Sequence, residues 1–143
     1  MEEQLVSFET AKLAKDKGFN IPCNKMFSFG RKIFENMKTI SFHNGDKNEC
    51  ANTSHDWNNT KSQTETEYYS APTQSLLQKW LREKHNIHVN LFIYHNTEDI
   101  NIVYRCRIDY FINKVKISYW LGLGKYEEVL EMGLKQGLNY IKL

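Results

Sequence analysis

At 143 residues the chain has the length of one domain, and with 41% hydrophobic and 13% aromatic residues it can build a core without disulfide or metal staples. Nineteen basic against 17 acidic residues leave a net charge of +2, which excludes a surface drawn as a whole to nucleic acid or anionic lipid. Any electrostatic preference has to come from a local patch.

The first residues, Met1 to Val6, lack both the positive and the apolar regions of a secretory signal, and no apolar run approaches the length of a membrane span. Cys23, Cys50 and Cys106 are an odd, widely spaced set and read as free thiols in a reducing compartment. The expectation is a cytoplasmic protein. In that setting the sequons at Asn52 and Asn58 are chance matches.

Ser7 opens the first predicted helix, with Glu9 in its first turn and Lys12, Lys15 and Lys17 toward its end. Gly18 supplies a left-handed terminus, Phe19 the hydrophobic contact after it, and Pro22 blocks continuation. Phe8, Ala11 and Ala14 face inward. From Cys23 to Phe42 the apolar residues follow no clean period; two short strands around Gly30 and a helix from Arg31 to Met37 are both allowed.

Residues 43–67 are dominated by Asn, Thr, Ser, Asp, Glu, Lys and Gln, and Trp57 is their one sizeable apolar side chain. Burial there cannot offset the entropy of ordering, so a long mobile loop is expected, pinned at Trp57. No repeat and no linker divides the chain, so 1–143 reads as a single domain.

Ser70, Pro72 and Thr73 mark the next helix start, with Leu76, Leu77, Trp80 and Leu81 on one face. Gln74, Gln78, Lys79, Arg82 and Glu83 form the other face, and His85 and Asn86 end the helix. Alternation follows: Ile87, Val89, Leu91 and Ile93 against His88, Asn90, Phe92 and Tyr94. A turn at 96–99 leads to a second run. In it Ile102, Tyr104, Cys106, Ile108, Tyr110 and Ile112 oppose Val103, Arg105, Arg107, Asp109 and Phe111.

Asn113 and Lys114 form a hairpin turn into Val115, Ile117 and Tyr119, alternating with Lys116, Ser118 and Trp120. Gly122 and Gly124 are read as breaking that strand. A last helix spans about 125–141, with Tyr126, Leu130, Leu134, Leu138 and Ile141 as its stripe. Gly133 and Gly137 beside the stripe permit close packing on a sheet. The resulting class is α+β: a three-stranded antiparallel meander with helices on one face, an N-terminal helix and a long polar loop.

Chemistry-bearing patterns are sparse. His85 and His88 straddle a helix end and a strand start, and Cys50 and His55 lack the companions that tetrahedral zinc requires. Buried Cys106 and solvated histidines are the simpler reading. The glycines at 122 and 124 lack the third glycine and the parallel sheet of a dinucleotide cradle. The adjacent carboxylates Glu2 and Glu3, Glu98 and Asp99, and Glu127 and Glu128 are explained by solvation or helix-end charge. Neither enzyme activity nor a metal or cofactor is expected.

The surface that stands out is the second face of the meander. Phe92, Tyr94, Arg105, Arg107, Lys116 and Trp120 converge there, beside His88, Asn90 and Ser118. Aromatic and basic residues on an open sheet suit single-stranded nucleic acid, through stacking and phosphate contacts. They equally suit a protein partner, or burial beneath residues 23–42.

Three stretches carry a resemblance: Ser7 to Ala14 (SFETAKLA), Tyr68 to Glu83 (YYSAPTQSLLQKWLRE) and Tyr126 to Leu134 (YEEVLEMGL). They resemble a group of small proteins encoded by gut Bacteroidetes, their prophages and related phages, crAss-like ones included. The segment between Cys23 and Glu67 departs most from that group. The resemblance implies a phage or prophage setting in a bacterial cytoplasm, and brings no catalytic residues with it.

Three functions are therefore set against one another. The leading expectation is a non-catalytic accessory protein acting by protein–protein binding. The second is a nucleic-acid-binding module on the outer sheet face. The third is an enzyme whose site gathers His43, Cys50, His55 and Asp56. An edge of the meander is also free to pair across a two-fold axis, with nothing in the sequence requiring it.

Overall fold

The computed structural model describes residues 3–31, 38–43, 54–61, 67–94 and 102–142, with the backbone alone at 29–31 and 38–43. Its contacts separate into two compact units, one of residues 5–72 and one of residues 1–4 with 73–143, where length alone suggests one domain. The class is α+β.

In the unit 5–72 helix α1 (Phe8–Asp16) starts where Ser7 Oγ accepts the Thr10 amide at 3.3 Å. It ends through a paired exit: Phe19 N–H donates to Ala14 O and Gly18 N–H to Lys15 O, with Gly18 at φ +83°. Phe19 is buried, as are Ala11 and Ala14. The open choice over residues 23–42 is decided for strands at its described ends. β1 (Met26–Arg31) lies between β2 (Lys38–His43) and β3 (Glu67–Ser70), both antiparallel to it. The alternative helix at 31–37 falls almost wholly outside the described residues. Phe8 sets its ring edge-on to Phe27 and Tyr69, at 5.4 and 5.3 Å between centroids, and so fastens α1 to this sheet.

The described part of the polar segment is docked, which corrects the expectation of one mobile loop over 43–67. His43 closes β2 and Glu67 opens β3. Between them His55 and Cys23 exchange backbone bonds at 2.9 and 3.1 Å, and a short 3-10 turn follows at Trp57–Asn59. Trp57 Nε1 donates to Cys23 O at 2.8 Å, so the pin read at Trp57 is real. Asn58 adds a second: Nδ2 donates to Phe19 O and Oδ1 accepts from Ser70 N, both at 2.8 Å. Polar side chains hold this segment where apolar burial cannot. Residues 44–53 and 62–66 lie outside the described residues.

In the other unit α2 (Gln74–His85) is capped by Thr73, whose Oγ1 accepts the Leu76 amide at 3.2 Å, and closes at Asn86 with φ 53°. Ser70, read as part of the helix start, instead ends β3. Antiparallel strands β4 (His88–Tyr94), β5 (Val103–Ile112) and β6 (Val115–Gly124) follow in that spatial order. Asn113 and Lys114 both take positive φ between paired Ile112 and Val115, as a two-residue hairpin demands. Gly122 and Gly124 do not break β6. Gly122, at φ +70°, lies where the pairing with β5 slips, and the strand runs on to Gly124.

Helix α3 (Tyr126–Asn139) lies across the meander. Its stripe of Val129, Leu130, Leu134 and Leu138 is buried, as are Val89, Cys106 and Ile108 on the strands that α3 contacts. Ile93 and Ile102, predicted to face the core, are 66% and 63% exposed. Ile93 pairs with Tyr104, whose ring abuts Tyr126 at the start of α3, so both isoleucines overrun the helical layer.

Candidate interaction surface on the sheet

The six residues singled out from the sequence all fall on the face of the meander turned away from α3. Register fixes the placement: Phe92 pairs with Arg105, and Asn90 with Arg107, which pairs in turn with Trp120. Phe92 and Trp120 therefore approach diagonally across β5, with ring centroids 5.2 Å apart.

Both arginines lie over these rings. Arg105 Cζ is 5.0 Å from the Trp120 centroid, and Arg107 Cζ is 4.8 Å from Phe92 and 5.5 Å from Trp120. A guanidinium over an aromatic face gains about 0.5–1 kcal/mol where exposed. Its main consequence here is order, because each long side chain is laid flat. Phe92 and Trp120 each keep 40% of their surface exposed.

Beneath the cluster sits a residue that sequence reading left among the alternating polar positions. Asp109 is 5% exposed and lies on the same face. Its Oδ1 accepts the Ser118 hydroxyl at 2.6 Å, and its Oδ2 takes Arg107 Nε and Nη2, each at 3.1 Å. Lys116 Nζ stands 3.4 Å from Oδ2, and Asn90 Nδ2 is at the limit of bonding distance, 3.5 Å. Desolvation pushes the Asp109 carboxyl up, but the Ser118 hydroxyl, the Arg107 guanidinium and the Lys116 ammonium outweigh it and hold it below its ordinary range. The signal available in the sequence was its position: a lone acid in register with the basic residues of a sheet.

Lys116 thus belongs to the support of the cluster as well as to its rim. Tyr94, the sixth residue, lies at the far end of β4, 44% exposed and paired with Val103. The arrangement brings four predicted residues into one cluster and leaves Tyr94 on its margin.

Two other expectations are corrected. Gln74 is not on an exposed helix face. It is buried and donates through Nε2 to Glu127 O at 3.0 Å and to Glu131 Oε2 at 3.1 Å, tying α2 to the first turn of α3. His85 is not a solvated histidine: its ring stands edge-on to Trp80 at 4.5 Å and its Nε2 is buried without a hydrogen-bond partner among the described residues. Desolvation and the neighbouring Lys84 lower its pKa. It borders a cleft of about 570 Å3 that also touches Tyr110 and Tyr140, whose rings stack at 4.2 Å.

The two described thiols, Cys23 and Cys106, are buried. Burial raises Cys23 to about 12 and Cys106 to about 11. Of the four residues set together for the enzyme reading, Cys50 and the His43 side chain lie outside the described residues. His55 Nε2 is engaged with Thr60 Oγ1 at 2.8 Å. Among the described residues no three His, Cys, Asp or Glu side chains converge as metal ligands. No described helix is long and apolar enough to cross a membrane.

No protein-family model, curated protein or solved structure matches this chain.

Proposed function

We propose that the protein is a non-catalytic binding module that captures a protein partner on the outer face of the meander. The observation that carries this reading is the Phe92, Trp120, Arg105 and Arg107 cluster, held from below by Asp109. Tryptophan and arginine dominate the residues that supply binding energy at protein interfaces, especially when fixed before the partner arrives. Stacking and the Asp109 bonds lower the side-chain entropy still to be lost on binding. The proposed setting, a phage or prophage accessory protein in a bacterial cytoplasm, rests on the resemblance of residues 7–14, 68–83 and 126–134.

Affinity capture from lysogenic or infected bacteria tests the reading, followed by titration of the purified captured protein. Arg105→Ala and Trp120→Ala are expected to weaken that binding at least tenfold, about 1.4 kcal/mol. A Lys12→Ala control on α1 is expected to leave it unchanged. Binding indifferent to both surface substitutions, or robust substrate turnover by the purified chain, overturns the proposal.

A second reading is favoured by charge: Arg105, Arg107 and Lys116 surround the aromatic pair, with Asp109 bonded to Arg107 and Lys116. A single strand of nucleic acid then stacks on Trp120 and Phe92 while phosphates meet the cations. Oligonucleotide titration separates the two readings. Quenching of tryptophan emission that fades steeply with salt supports the nucleic-acid reading. Its absence at low salt removes it.

A further inference from the structure

β6 is an outer strand of its sheet, and the direction of each of its peptide groups follows from the hairpin. In a two-residue hairpin the residues flanking the turn exchange both backbone bonds, and bonded and unbonded pairs then alternate along the ladder. Ile112 and Val115 flank this turn, so Val115, Ile117, Tyr119 and Leu121 direct their peptide groups to β5. Lys116, Ser118 and Trp120 direct theirs away from the sheet.

The far edge provides an independent check. The same alternation, carried across β5, turns the Val89 peptide outward from β4, and there Gln78 Nε2 donates to Val89 O at 2.6 Å. Helix α2 thus occupies that edge. No described strand pairs with the outer edge of β6.

That edge has definite limits. The turn at Asn113 and Lys114 bounds one end, and the slip in register at Gly122 bounds the other. The uninterrupted run is Val115 to Leu121, and its midpoint is Ser118. Val115 and Tyr119 are 63% and 50% exposed, an apolar content that leaves an unpaired edge open to association.

We propose that this edge pairs with the same edge of a second copy, antiparallel across a two-fold axis centred on Ser118, joining two three-stranded sheets into one. In this register Ser118 meets its own equivalent, and the outward peptides of Lys116 meet those of Trp120 in the second copy. On the outer face each Lys116 side chain, 51% exposed, lies opposite Trp120 of the second copy while its ammonium stays on Asp109. On the other face Ile117 meets Tyr119 and Val115 meets Leu121, apolar against apolar. Centring the pair on Lys116 instead sets ammonium against ammonium, which is unfavourable. Any other centre leaves part of the run unpaired. The two aromatic and basic clusters then lie on one continuous face.

Sedimentation of the full chain with residue-resolved amide exchange tests this pairing, whatever partner the outer face binds. The expected species has twice the 17.0 kDa chain mass. On raising the concentration, the amides of Lys116, Ser118 and Trp120 should exchange at least about tenfold more slowly. Tyr119→Lys, which opposes lysine to Ile117, should give a folded monomer. Adding Ile117→Glu to it opposes glutamate to lysine at both positions and should restore the dimer. A monomer at every concentration overturns the proposal, as does a dimer whose 116, 118 and 120 amides stay unprotected. A dimer indifferent to Tyr119→Lys overturns it too. Where a variant fails to fold, the exchange pattern of the unaltered protein decides.

Discussion

Asp109 and Arg107 stand two positions apart on β5 and meet through a single carboxylate oxygen, with Nε and Nη2 both 3.1 Å from Oδ2. The bond joins stability to the surface cluster, because the guanidinium it orients lies over Phe92 and Trp120. Asp109→Asn keeps the shape and removes the charge. It should cost about 1–3 kcal/mol by chemical denaturation at neutral pH and, on the proposed binding role, weaken capture of a partner through the released arginine.

The pH dependence has a definite sign. Both Asp109 and His85 have native pKa values below their ordinary 3.8 and 6.5, so the unfolded chain binds more protons on acidification. Their contributions are complete above those ordinary values. The His85 part fades as pH falls below 6.5, and the Asp109 part as it falls below 3.8. Denaturation midpoints across this range should decline in two stages. Asp109→Asn should flatten the lower stage and leave the upper one.

At Gly133 α3 comes close to the meander. A β-carbon built there stands 2.5 Å from Cys106 Sγ and 2.7 Å from Val89 Cγ1. Alanine normally favours a helix over glycine by about 1 kcal/mol. Here overpacking outweighs that gain, so Gly133→Ala should lower stability by about 1–3 kcal/mol in urea unfolding. Gly137→Ala, with its nearest neighbour at 3.2 Å, should cost less.

The difference between these two glycines also shows what the sequence can express. Their spacing beside the leucine stripe announced close packing, and the alternation of residues 87–120 announced the sheet, its turn and its outer face. Hydrophobic period encodes these features locally. What stayed hidden depends on partners distant in the chain. Gln74 reads as a surface residue until Glu127 and Glu131 come alongside it. Asp109 reads as one polar position until register brings Ser118 and Lys116 to it. Of the docked segment at 54–61 the pin at Trp57 is legible, while the bonds of Asn58 are not, because polar bonds carry no periodic signature.

Asn58 tests that last point. Its amide donates to Phe19 O and accepts from Ser70 N, joining the exit of α1 to β3. Ser70 is 1% exposed, so Asn58→Ala leaves a buried amide unsatisfied. The expected loss is about 1–3 kcal/mol. Asn58→Asp keeps the acceptor and should recover part of it. Thermal unfolding of both variants beside the parent protein checks the order.

Cys23 and Cys106 are buried thiols raised to about 12 and about 11. In the native protein neither should be alkylated at mildly alkaline pH, and both should be modified once denaturant is added. Peptide mapping after a short iodoacetamide pulse reads this directly. The same shift sets a limit on alkaline stability. Above the ordinary thiol value of 9.0 the unfolded chain loses protons that the native one keeps. Stability should therefore fall from pH 9.0 toward about 11, where Cys106 begins to ionise in place, and on toward about 12 for Cys23. Cys106→Ala should make the decline between pH 9.0 and about 11 shallower and leave the Cys23 part, which runs from 9.0 toward about 12. An alkaline limb identical in the variant and the parent would show that Cys106 is not shielded as its contacts require.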